Sequence, residues 1–122
     1  MSYDLAFWKQ QAGVETDPRD IYLALVVEGR SVEGLEAFPV AEFVAGLEGA
    51  FPDATSERSG DDQMFWLDPQ KELIFEMYYT PVIVVATMRP LSESVANRIV
   101  DVAISVGAPL YDPQVNERFA VR

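Results

Sequence analysis

The stretch "ELIFEMYYTPVIVVATMR", Glu72 to Arg89, decides the fold. Its first half alternates, with Leu73, Phe75, Met77 and Tyr79 toward one face and Glu72, Ile74, Glu76 and Tyr78 toward the other, the period of a strand. Its second half, from Pro81, is apolar on both faces, which places it at the centre of a sheet. Thr80-Pro81 leaves room between the halves only for a tight hairpin. Upstream, "QMFWLD" is a third extended segment. It joins the first through Asp68-Pro69-Gln70-Lys71, where Asp68 accepts a backbone N–H and Pro69 presets φ for a turn. Three consecutive strands in hairpin connection are an antiparallel meander.

The segments on either side read as helices and one further strand. "PLSESVANRIVDVAISVGAP" offers Ser92 as N-cap, a stripe of Val95, Ile99, Val102, Ala103 and Val106, and Gly107 as the stop. In the other direction, Pro39 opens a helix whose Val40, Phe43, Val44, Leu47 and Phe51 recur on one side, with Glu42, Gly46 and Gly49 off the stripe. Asp17 and Pro18 open a shorter helix that ends at Gly29. "SYDLAFW" alternates Tyr3, Leu5 and Phe7 with Asp4, Ala6 and Trp8, a strand. Between Phe51 and Gln63, "FPDATSERSGDDQ" is polar and rich in turn formers and reads as the main surface loop.

Asp-Pro-Gln occurs twice, at 68–70 and 112–114. The second copy separates the short extended candidates "APLY" and "ERFAV" and reads as another turn, with architecture favoured over a site for both copies. The flanking patterns differ, so no longer repeat exists.

At 122 residues, of which 49% are hydrophobic, the chain amounts to a single domain, 1–122, able to fold around one core. The expected architecture is α+β: a mostly antiparallel sheet of four to five strands, covered on one face by the helices near 40–51 and 92–106, plus a short extra N-terminal helix. This order resembles an elaborated split β-α-β sandwich.

Charge narrows the function classes. Twenty acids against nine bases give −11, and thirteen of those acids against four bases fall within Met1 to Asp62. Nucleic acid and anionic membrane both require clustered Lys and Arg, so neither is an expected partner; a protein with a basic surface is. The plainer reading, acidity for solubility, competes with it. Cys and His are both absent, which removes thiolate nucleophiles, disulfides, thiolate metal sites and the commonest general base. The first residues lack a basic region ahead of an apolar one, and no apolar run, Val82 to Ala86 included, approaches the roughly 20 residues a membrane helix needs. A cytoplasmic location is expected.

Several constellations bear on chemistry. Asp61 and Asp62, with Asp53 and Glu57 nearby, offer oxygen ligands to a hard cation but lack the spacing of a calcium loop. Asp68, Glu72 and Glu76 offer paired carboxylates, yet Glu72 and Glu76 equally suit a solvent-facing strand face. The serines have only Lys9 and Lys71 as possible bases, and no phosphate-binding glycine loop is present. The expectation is no catalytic residues, no metal and no cofactor. For a protein partner the acidic half and the meander edge supply Glu28, Glu33, Glu36, Asp61, Asp62 and, as an aromatic anchor, Trp66. Trp8 and Tyr78 are further aromatics on partly polar strand faces; burial under helices or loops is the alternative for both tryptophans.

The opening "MSYDLAFW", the segment "GLEAFPVAEFVAGLEGAFP" and the ending "GAPLYDPQVNERF" together resemble a group of small, uncharacterised bacterial proteins. Those proteins are similar to the immunity proteins of polymorphic or contact-delivered toxin systems. The resemblance spans nearly the whole chain. It implies a small, acidic, cofactor-free cytoplasmic protein that binds and neutralises a cognate toxin or effector by occlusion, and it implies no catalytic residues. The alternative is a small-molecule-binding or carboxylate-dependent enzyme domain using the sheet face or the Asp61-Asp62 loop.

Overall fold

The computed structural model describes residues 2–118. Strand β1 (Tyr3–Trp8) leads to helix α1 (Pro18–Tyr22), which continues as a π-helical turn over Leu23–Val27. Asp17 caps α1 by accepting the Arg19 N–H at 2.9 Å. Helix α2 (Val40–Ala50) then precedes the meander β2 (Thr55–Ser59), β3 (Gln63–Leu67), β4 (Leu73–Tyr79) and β5 (Ile83–Met88). Helix α3 (Glu93–Ser105) and the short strands β6 (Leu110–Asp112) and β7 (Glu117–Arg118) follow.

The sheet is antiparallel in every pairing, with order β2-β3-β4-β5-β1-β6-β7. The α+β class stands, but the expected four to five strands are corrected to seven. The additional strands either bury nothing, as β2 does, or are very short, as β6 and β7 are. All five residues of β2 are exposed, so "TSERS" has neither an apolar face nor an alternating pattern to distinguish it from a surface loop. Its only tie is the ladder to β3, from Thr55 opposite Leu67 to Ser59 opposite Gln63. β6 and β7 span three and two residues, too few for a period; the remainder of the "ERFAV" candidate, from Phe119 on, lies outside the described residues.

α2 and α3 share one face of the sheet, and the helix over 18–27 covers part of the other. The first face carries Leu5, Phe7, Met64, Trp66, Phe75, Met77, Val84 and Ala86 under Phe43 and Leu47 of α2 and Ile99, Val102 and Ala103 of α3. The other carries Ala6, Trp8, Ile83, Val85 and Tyr111 under Ile21, Tyr22, Leu25 and Val26. The chain between 18 and 27 is thus a third structural helix. β5, buried on both faces, lies between these layers. α2 and α3 approach closely where α2 has no side chain: a Cβ at Gly46 would stand 2.6 Å from Val102 Cγ1. α3 ends in a Schellman motif, with Ala108 N–H on the Ala103 carbonyl and Gly107 at φ +82°.

Candidate functional site

The turn at 80–82 gathers one end of the molecule. Thr80 Oγ1 accepts the N–H groups of Val82 and Ile83 at 3.2 Å each, and the Thr80 N–H reaches the Ile83 carbonyl at 2.9 Å. This fixed hairpin binds two distant segments. The Tyr79 N–H donates to the Asp62 carbonyl at 2.9 Å, and the Pro81 carbonyl accepts the Phe38 N–H at 2.7 Å. The β2–β3 turn and the entry to α2 are therefore held beside the hairpin by backbone bonds.

Two grooves result, one on each side. The first, about 390 Å³, is lined by Val40, Tyr78, Tyr79, Thr80 and Pro81, with Asp61 and Asp62 among its walls. The second, about 350 Å³, lies against Leu25, Val32, Tyr78, Pro81 and the segment from Gly29 to Ser31. Tyr78 lines both. The first groove presents mostly apolar surface with carboxylates from the β2–β3 turn, an arrangement suited to an apolar group that carries or adjoins a positive charge.

The residues expected at a partner interface do not all converge here. Asp61 and Asp62 line the first groove and are exposed. Glu28 follows the π-helical turn and pairs with Arg30 at 2.8 Å, both side chains exposed. That hydrogen bond and charge hold the Glu28 carboxyl below its ordinary range and the Arg30 guanidinium above it. Arg30 lines the second groove, so the acidity of Glu28 is partly offset there. Glu33 and Glu36 are exposed but line neither groove; their segment is tied instead to the end of β1 by the Glu36 N–H on the Lys9 carbonyl. Trp66 as an exposed anchor is corrected. It is 1% exposed in the helix-covered core, stacked on Phe75 with ring centroids 5.7 Å apart. Strand parity decides this, because Trp66 shares the α2/α3 face with Met64. Trp8 is buried on the opposite face, beside Tyr111.

Tyr78 and Pro81 provide the apolar surface that Trp66 does not. The alternation of β4 is enough to set Tyr78 on the face opposite Phe75 and Met77. The contributions of Val40 and Tyr79 depend on how the hairpin meets α2, which no local pattern encodes.

The carboxylates weighed for catalysis are dispersed. Asp68 is used by its own turn, accepting the N–H groups of Gln70 and Glu72 at 2.9 Å each, while Lys71 takes φ 66°. Among the described residues no group of three or more acids is placed to hold a metal ion. No helix among them is long and apolar enough to cross a membrane. No protein-family model matches this sequence, and no curated protein matches it.

Proposed function

We propose that this chain is an immunity-type protein that binds a cognate bacterial toxin or effector and neutralises it by occlusion, acting in the cytoplasm. The observation that carries this reading is the groove at the β4–β5 hairpin, where Asp61 and Asp62 meet the apolar surface of Val40, Tyr78 and Pro81 on a chain of net charge −11. The acidic field steers a basic partner toward this end and raises the association rate. Tyrosine and proline then supply contact area at small entropic cost. Neutralisation by occlusion requires no chemistry from the inhibitor, in keeping with a chain that has neither Cys nor His. The resemblance in the opening, middle and closing segments supports the same reading.

The test is co-expression with the toxin encoded beside the gene, followed by calorimetry of the purified pair. Protection with a one-to-one complex is expected. Full toxicity with no complex overturns the reading. A small-molecule site is the second reading, favoured by one observation: at about 390 Å³ the hairpin groove is within the size range of ligand pockets. Stabilisation by a metabolite panel, lost on filling the groove with Asp62→Trp, would distinguish it.

A further inference from the structure

The sheet face beneath α1 is covered over only part of its width. Ser59, Gln63, Tyr78, Val85, Ala6 and Tyr111 stand opposite one another in one row across six strands. Ala6, Val85 and Tyr111 lie in the core beneath α1, and Tyr78 packs at its margin. Two residues along each strand, and so on the same face, runs a second row: Glu57 opposite Phe65, Phe65 opposite Glu76, Glu76 opposite Thr87, and Thr87 opposite Asp4. Phe65 and Leu67 belong to neither buried cluster. Phe65, Leu67 and Glu76 are half-buried, and Glu57 is exposed. Beyond the margin at Tyr78, therefore, the β2–β3–β4 part of this face is bare: a phenylalanine flanked on its own row by two carboxylates. The sole ion pair among the described residues joins Glu28 and Arg30, so neither Glu57 nor Glu76 is neutralised there.

We infer that this bare sheet face is a docking surface for a basic protein that presents two cationic side chains about 10 Å apart on either side of an apolar one. The spacing follows from the register, because Glu57 and Glu76 are two strands apart and neighbouring strands are separated by about 4.8 Å. Charge complementarity selects the occupant. A second copy would bring acidic row against acidic row on chains of −11 each, and nucleic acid is repelled for the same reason. The apolar side chain covers Phe65, and dehydrating the row strengthens the flanking charge pairs. The inference rests on the proposed protein-binding function and extends its surface from the hairpin end onto the sheet. It adds Glu57, Phe65 and Glu76, none of which was expected at the interface.

Two helical peptides test the face without a known toxin. One carries Lys at i and i+7, about 10.5 Å apart at 1.5 Å per residue, with Leu at i+3 and i+4; the other has the same composition with the lysines opposite the leucines. Added to the ¹⁵N-labelled full chain, the first should shift the amides of Glu57, Phe65 and Glu76. It should bind at least ten-fold tighter than the second and weaken as salt rises. Glu57→Lys with Glu76→Lys should abolish the shifts, and the shape-conserving Glu57→Gln with Glu76→Gln should weaken binding several-fold in a protein with an unchanged spectrum elsewhere. Equal binding of the two peptides, or shifts confined to the hairpin end, overturns the inference. With the neighbouring toxin, protection by wild type and equally by the Lys variant also overturns the docking face while sparing the proposed function. Failure of wild type to protect overturns that function, and the peptide titration still decides the face.

Discussion

Gln114 completes the edge of β1 with its side chain. Its Oε1 accepts the Asp4 N–H at 2.8 Å and its Nε2 donates to the Asp4 carbonyl at 2.8 Å. Extending the β1–β6 register, Phe7 with Leu110 and Ala6 with Tyr111, would set Pro113 opposite Asp4, and proline has no N–H to offer. The amide of the next residue supplies both partners, oriented by Asp112 Oδ1, which accepts its Nε2 at 2.6 Å. Gln114→Ala is therefore expected to cost about 1–2 kcal/mol in urea unfolding. Gln70→Ala in the other Asp-Pro-Gln should stay within about 0.5 kcal/mol, since only its backbone joins the turn. One tripeptide thus forms a turn in one place and a turn with a clamp in the other.

Alkaline pH should weaken the fold through the same corner. The Tyr3 hydroxyl donates to Asp112 Oδ2, and that hydrogen bond, followed by burial and the carboxylate's charge, raises the Tyr3 pKa above its ordinary 10.0. Tyr22 and Tyr111 are also raised, chiefly by burial. A raised folded-state value means that the stabilisation is whole below about pH 10, the unfolded pKa, and is lost as pH climbs through the folded one. Urea midpoints at increasing pH should be level with respect to these groups below about 9 and fall above 10. Tyr3→Phe should show a smaller alkaline loss.

Trp66→Ala is expected to act on folding, at about 3–5 kcal/mol, because it empties a buried site against Phe75. Trp66→Phe should cost much less. The indole Nε1 is buried without a hydrogen-bond partner, so losing it returns part of a desolvation penalty. Chemical denaturation of the two variants measures the difference.

Gly46 and Gly49 should respond in opposite directions to alanine. At Gly49 a Cβ meets nothing within 4 Å, so helix propensity gains up to about 1 kcal/mol. At Gly46 the methyl collides with Val102, and overpacking of about 1–3 kcal/mol outweighs that gain. Melting temperatures should rise for Gly49→Ala and fall for Gly46→Ala.

Under the proposed function, Asp61→Lys with Asp62→Lys should slow association with the toxin and flatten its dependence on ionic strength. Stability should move by less than about 0.5 kcal/mol, since both side chains are exposed. Stopped-flow rates at two salt concentrations measure this; unchanged rates would place the partner elsewhere.

Legibility in the sequence followed burial. β1, β4 and β5 declare themselves because a strand with a core-facing side must place apolar residues at period two, and α2 and α3 because their stripes face one sheet. β2 packs no side chain inside and carries no such mark; only its ladder to β3 defines it. Gly46 and Gly49 look alike in the α2 pattern, and the difference arises from Val102 more than fifty positions later. The residues proposed to meet a partner divide in the same way. Asp61 and Asp62 sit in a polar turn that composition finds, whereas the pairing of Glu57, Phe65 and Glu76 across three strands exists only once the register is set. The side that Trp66 faces is set by strand parity, because a tryptophan beside a turn can face either way.

The position of β1 also bears on synthesis. Tyr3–Trp8 ends between β5 and β6, pairing from Trp8 with Ile83 to Tyr3 with Met88. On a ribosome adding about 5–20 residues per second, several seconds pass between the emergence of this strand and that of its partners. Throughout that interval Leu5, Ala6, Phe7 and Trp8, all 3% exposed or less in the finished fold, have no sheet to enter. The nascent chain thus carries a sticky hexapeptide ahead of an otherwise acidic and repulsive half. Escape from aggregation during translation depends on that charge, or on a chaperone holding the strand until β5 arrives.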